Sequence, residues 1–96
     1  MSFEIKRESA ENRIILGEEV SIAEARDFHS AVLSLALEAI PLVVDASAVR
    51  TIHTSILQVL YALKVTSNQF VIHGASVDFT TALERLGLDL LSPKKT

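Results

Sequence analysis

An α/β domain with a mixed sheet of four to five strands and three main helices, in the order ββαβαβα, is the fold class this 96-residue sequence predicts. Three observations lead there. "FEIKRE" near the start alternates apolar and charged residues, the period of a strand with one wet face. Further along, "PLVVDA" and "QFVIHG" are continuous apolar runs of strand length. Between and after these runs lie stretches whose apolar residues recur at helical spacing.

In order along the chain, Phe3 and Ile5 alternate with Glu4 and Lys6, and "RIILGE" follows the turn-like "SAEN", so the two segments read as an edge hairpin. Ser21 and Glu24 have the spacing of a capping box, which starts the first helix over residues 21 to 38. Its wheel places Ile22, Ala25, His29, Val32, Leu33, Ala36 and Ile40 inward, opposite Asp27, Ser30, Ser34 and Glu38. "PLVVDA", opened by Pro41 and closed by Asp45, reads as a central parallel strand covered on both faces. A second helix begins near Thr54. "QFVIHG" repeats the buried-strand pattern, and Ser76 caps a last helix whose Phe79, Ala82, Leu83 and Leu86 share a face before Gly87 stops it. Later strands joined through helices are parallel, with right-handed crossovers. Residues 1–91 form one domain, and "SPKKT", residues 92–96, reads as a flexible tail.

Composition narrows the function. With 49% apolar residues the chain belongs to the compact globular class. A net charge of −3, with acidic and basic residues interspersed, provides no basic stripe for a phosphate backbone or an anionic membrane, so nucleic acid is not expected as a partner. The absence of cysteine removes disulfides and thiolate ligands and points to a reducing compartment, the cytoplasm. Residues 1 to 20 carry many charges and no signal-peptide core, and no apolar run reaches membrane-spanning length.

The second helix carries the functional signal. Over residues 54 to 67 its wheel places Ile56, Val59, Leu60 and Leu63 toward the sheet. The opposite side carries Thr54, Leu57, Gln58, Tyr61 and Val65 as a second, largely apolar ridge. Such a ridge is covered either by the chain itself or a homodimer, or by a different protein; Tyr beside Leu and Gln is interface-like in composition. Thr54 occupies the first turn, where a hydroxyl serves as an N-cap. The same helix end also suits a phosphate, because it presents unpaired N–H groups and partial positive charge, with Arg50 nearby. Cap and switch are compatible.

An enzyme is not expected. Asp45, His53, Thr54 and Ser55 include the residue types of a nucleophilic triad, but neighbours at a helix start point in different directions and no Gly-rich oxyanion turn accompanies them. His29, His53 and His73 fall on three separate elements without ligand spacing, so no metal is expected. The isolated Gly17, Gly74 and Gly87 form no phosphate loop, and no cofactor is expected. His29 flanks the core in this reading and His73 ends a strand.

The strand, loop and helix of "VVDASAVRTIHTSILQVLYAL" resemble the STAS domain, the fold of anti-sigma-factor antagonists and of the cytoplasmic part of sulfate transporters. "LGEEVSIAEARDFHSAV" is similar to that family's entry into its first helix, and "VIHGASVDFTTALERLGLDLL" to its closing strand and helix. The resemblance places Thr54 on the phosphoacceptor position, with Ser55 as the alternative, and Leu57, Val59 and Leu60 on the apolar positions after it. It implies a bacterial, non-catalytic signalling module whose partner-binding residues are Arg50, His53, Thr54, Leu57, Gln58 and Tyr61. The implied partner is a kinase-like anti-sigma factor or a chemotaxis-type regulator; alternatives are the ATPase of a phospholipid transporter of the ABC type, bound constitutively, or a second copy of the chain. Two residues depart from the family pattern: His53 stands where the family has Asp, and Ile56 where it has Gly.

Overall fold

The structure is a computed structural model and describes residues 3–38, 40–67 and 69–90. The expected domain boundary at residue 91 and the tail 92–96 lie outside the described residues. Strands β1 (Phe3–Arg7) and β2 (Asn12–Leu16) form the expected antiparallel hairpin, with Ile5 opposite Ile14. The two-residue strand β3 (Glu19–Val20) leads into a single 3₁₀ turn, Ile22–Glu24, and helix α1 (Ala25–Leu33), which tightens into another 3₁₀ turn over Ser34–Leu37. Strand β4 (Leu42–Asp45) follows, then β5 (Thr51–Ile52), helix α2 (Thr54–Thr66), strand β6 (Phe70–His73) and helix α3 (Val77–Leu86). The main sheet has the order β1-β2-β4-β6, parallel from β2 onward, and β3 and β5 make a separate two-stranded parallel piece. The mixed sheet, the three helices and their order are therefore as the sequence predicts.

Alternation decides which side of the sheet is core. Phe3, Ile14, Leu16, Leu42, Val44 and Phe70 are buried with Phe28 and Val32 of α1, Ile56, Leu57, Leu60 and Leu63 of α2, and Phe79 and Leu83 of α3. Phe3 meets Phe28 edge to face, with ring centroids 4.9 Å apart, an arrangement aromatic pairs favour. The opposite sheet face carries Glu4, Lys6, Arg13, Ile15, Val43, Asp45, Val71 and His73, all half-buried or exposed. The expectation that "PLVVDA" and "QFVIHG" are covered on both faces is thus corrected. β4 is central but one of its faces is only half shielded, and β6 is an edge strand with Val71 exposed.

Two expectations for α1 also change. Ser21 makes no side-chain cap; the Ser21 carbonyl accepts the Glu24 N–H instead, at 3.2 Å, closing the 3₁₀ turn. Phe28, Val32 and Leu35 form the buried face, whereas Ile22, His29 and Leu33, expected inward, are exposed. The α3 boundaries follow their sequence signals closely. Ser76 Oγ accepts the Phe79 N–H at 3.1 Å, and Gly87 ends the helix in the left-handed conformation at φ 68°. Leu86, placed on the inner face by its spacing, remains partly exposed. No helix among the described residues is long and apolar enough to cross a membrane.

Candidate functional site at the start of α2

The loop between β4 and α2 is held by hydrogen bonds from three directions. Asp45 Oδ1 accepts both the Ser47 N–H at 3.0 Å and the Ser47 hydroxyl at 2.7 Å, turning the chain out of the sheet. Those bonds, the hydroxyl first, hold the Asp45 carboxyl below its ordinary range. Ala46 bonds His73 and Ser76 through its N–H and C=O. The Ser76 hydroxyl donates to the Val49 carbonyl at 2.7 Å while capping α3, so one side chain joins the loop to the next helix. Beyond it, the N–H groups of Arg50 and Thr51 reach the Glu18 carbonyl, and the His53 N–H reaches the Val20 carbonyl at 2.9 Å.

His53, not Thr54, is the N-cap of α2. Its Nδ1 accepts the Ser55 N–H at 3.1 Å and lies 2.9 Å from the Ser55 hydroxyl, and its backbone is extended. An imidazole thus caps the helix at the position where the family pattern has Asp. It does so only with Nδ1 unprotonated. Thr54 is the first helical residue; its side chain is exposed, and its hydroxyl has no hydrogen bond among the described residues. Ser55, the alternative acceptor, is half-buried and already engaged with His53. Arg50 is exposed, with Glu18 at 3.9 Å, a distance at which the pair leaves the guanidinium largely solvated.

Thr54, Gln58, Tyr61 and Val65 line up as an exposed stripe, with Tyr61 at 41% and Val65 at 57% exposure. Leu57 does not belong to it. Expected on the outer ridge, Leu57 is 1% exposed and part of the core. The same flank of α2 carries Lys64, whose Nζ donates to the Asp89 carbonyl at 2.8 Å, so the chain after α3 runs along that side. Ile56, standing where the family pattern has Gly, is fully buried and packs as a core residue. Exposed Ile22, at 63%, was read as an inward residue and instead lines a shallow depression beside His53 with Thr51 and Ile52. Its signal would have been the Ser-x-x-Glu turn read as 3₁₀, not as a helical capping box.

Among the described residues no group of three or more His, Asp or Glu side chains could hold a metal ion.

A family model described as "Mlab, STAS domain" matches residues 3–93. This chain belongs to the STAS domain family. Among solved structures, it is similar to an anti-sigma factor antagonist from Mycobacterium paratuberculosis, with a TM-score of 0.74 at 17% sequence identity, over 88% of this chain and 76% of that chain. That likeness shows a shared fold. No curated protein sequence gives a significant match. As a STAS domain, the chain has the architecture of a regulatory protein-interaction module.

Proposed function

We propose that this STAS domain is a non-catalytic regulatory module that docks a protein partner through the loop ending at Thr54 and the outer stripe of α2. Arg50, His53, Thr54, Gln58 and Tyr61 form the contact, and Leu57 supports it from beneath. One observation carries the reading: Thr54 offers an exposed, unengaged hydroxyl on the first turn of a helix whose neighbouring outward residues are an amide and an aromatic ring. Tyr and Gln provide contact area and hydrogen bonding without a fixed charge. The partner class that fits the family resemblance is a kinase-like anti-sigma factor or a chemotaxis-type regulator.

Phosphorylation of Thr54 would place nearly two negative charges in the middle of this contact, and their desolvation on docking opposes binding. Thr54→Glu is expected to reduce partner affinity about tenfold or more while leaving the thermal unfolding curve in place. Unchanged affinity, measured by titration calorimetry with the partner recovered from the native cell, argues against the switch.

A second reading is favoured by His53. Its imidazole is tied to Ser55 at the position where the family pattern has a carboxylate. In that reading the domain is a constitutive subunit of a phospholipid transporter, bound to its ATPase, with Thr54 and Tyr61 as permanent contacts. Intact mass of the protein from its native cell, taken beside a pull-down, separates the two. A mass gain of one phosphate supports the switch, and a stoichiometric ATPase with unmodified Thr54 supports the subunit.

A further inference from the structure

β1 is an edge of the main sheet, and among the described residues no strand pairs with its outer side. The Glu8 N–H donates to the Glu11 carbonyl at 3.0 Å across the hairpin, and the Asn12 N–H turns the other way, to the Pro41 carbonyl. Antiparallel ladders alternate, so Glu4, Lys6 and Glu8 face β2, while the N–H and C=O groups of Phe3, Ile5 and Arg7 face outward. Beside this row runs a groove of about 620 Å³ between β1 and α1, lined by Phe3, Ile5 and Ala31 with Asp27 and Ser30 at its rim. A free strand edge with an adjoining apolar groove is a template for strand addition.

The geometry points to a second copy of this chain as the occupant, paired β1 to β1 in antiparallel register about Ile5, so that the two sheets become one. The strand sequence Phe3-Glu4-Ile5-Lys6-Arg7 is self-complementary in that register. Ile5 faces Ile5 as a hydrogen-bonded pair, as the outward direction of its backbone groups requires, and Phe3 pairs with Arg7 in the same way on either side. Glu4 then stands directly opposite the partner's Lys6, and Lys6 opposite the partner's Glu4, in the close non-hydrogen-bonded positions of the open sheet face. Neither Glu4 nor Lys6 has an ion-pair partner among the described residues of its own chain. Sliding the register by two residues in one direction sets Glu4 against Glu4, and in the other sets Lys6 against Lys6. A shift by one turns the apolar residues out of the groove. The charges thus select one register.

The helix side agrees. Phe28 meets Phe3, and Ser34 meets Arg7 at 3.1 Å, so α1 runs in the direction of β1 with Asp27 toward the Phe3 end. The two-fold axis brings the partner's Arg7 to that end, next to Asp27. A seam of five residues per strand fits a weak dimer governed by concentration.

Sedimentation equilibrium at low salt, over micromolar to millimolar protein, tests this with charge reversal. Wild type is expected to dimerise in a concentration-dependent way. Glu4→Lys and Lys6→Glu each turn two attractive pairs into repulsive ones and should weaken the dimer about tenfold, whereas the double variant exchanges the charges and should restore it. Both side chains are exposed, so the fold withstands each change. A wild type that stays monomeric throughout, a dimer indifferent to the single reversals, or a dimer abolished by Tyr61→Ala overturns the inference. Thr54→Glu is expected to leave the dimer unchanged, which keeps this outcome separate from that of the docking role.

Discussion

His53 shows how much depends on one side chain. By accepting the Ser55 N–H it satisfies a donor that the helix leaves free, and its own carbonyl receives the Ile56 and Leu57 N–H groups. His53→Ala should lower stability by about 1 kcal/mol, as cap removal does elsewhere, and His53→Asp should retain most of it because a carboxylate is an acceptor that also suits the helix dipole. Urea titrations of the three proteins check the order. If alanine and wild type unfold together, the imidazole is not a cap in solution. By residue type Thr54 is the expected cap, because Thr is a common cap and His is not. The true cap, one residue earlier, was legible only as an extended residue ahead of the first helical turn. Thr54 is nevertheless exposed on the first turn, because a one-residue shift of the cap leaves that turn where the apolar periodicity puts it.

At the level of the helix, periodicity located α2 well but misjudged how far its core face extends. A single-sheet contact would bury only the side of Ile56, Leu60 and Leu63, and on that basis Leu57 looked outward. The segment following α3 reaches a further flank, where Lys64 meets the Asp89 carbonyl, and Leu57, on that same flank of α2, is buried. No local pattern in residues 54 to 67 reports what a segment twenty-five positions later will cover. Leu57→Ala should therefore cost about 2–5 kcal/mol, whereas Tyr61→Ala should change stability by less than about 1 kcal/mol and act on partner binding instead. Denaturant midpoints beside binding measurements distinguish the two. A mild Leu57→Ala would mean that the flank is open. In α1 the error has another origin. The chain enters through a 3₁₀ turn, which advances about 120° per residue instead of 100°, so a wheel drawn from Ser21 is out of phase by about 60° after three residues. That is enough to exchange His29 for Phe28 on the inner face.

The whole molecule was the most legible level, because strand runs, helix spacing and crossover rules leave few alternatives for ββαβαβα. The sidedness of the sheet was not. Apolar runs such as "LVV" read as buried on both faces, yet three helices suffice to cover only one, and Val43 and Val71 remain on the other. Global stability should also depend on acid in a defined direction. Ser47 holds the Asp45 carboxyl low, and for Glu38 the hydrogen bond from Asn12, aided by Arg7, outweighs burial and lowers it too. A carboxyl depressed in the folded state stabilises fully above its unfolded value, near pH 4, and that contribution fades as pH falls through the folded value. The contribution of these two carboxyls should thus decline below about pH 4.5. Ser47→Ala should make the decline shallower and move the Asp45 titration, followed by carboxyl carbon NMR, toward the ordinary value. An Asp45 titration unaffected by the change would contradict this account.

Ser76 has a further consequence. Because its hydroxyl spans the Val49 carbonyl and the opening of α3, the loop ahead of Thr54 is tied to the next helix within the chain itself. In the proposed docking role, a visitor would meet a stiff landing platform, with little ordering entropy left to lose on arrival, and recognition there should proceed close to lock-and-key.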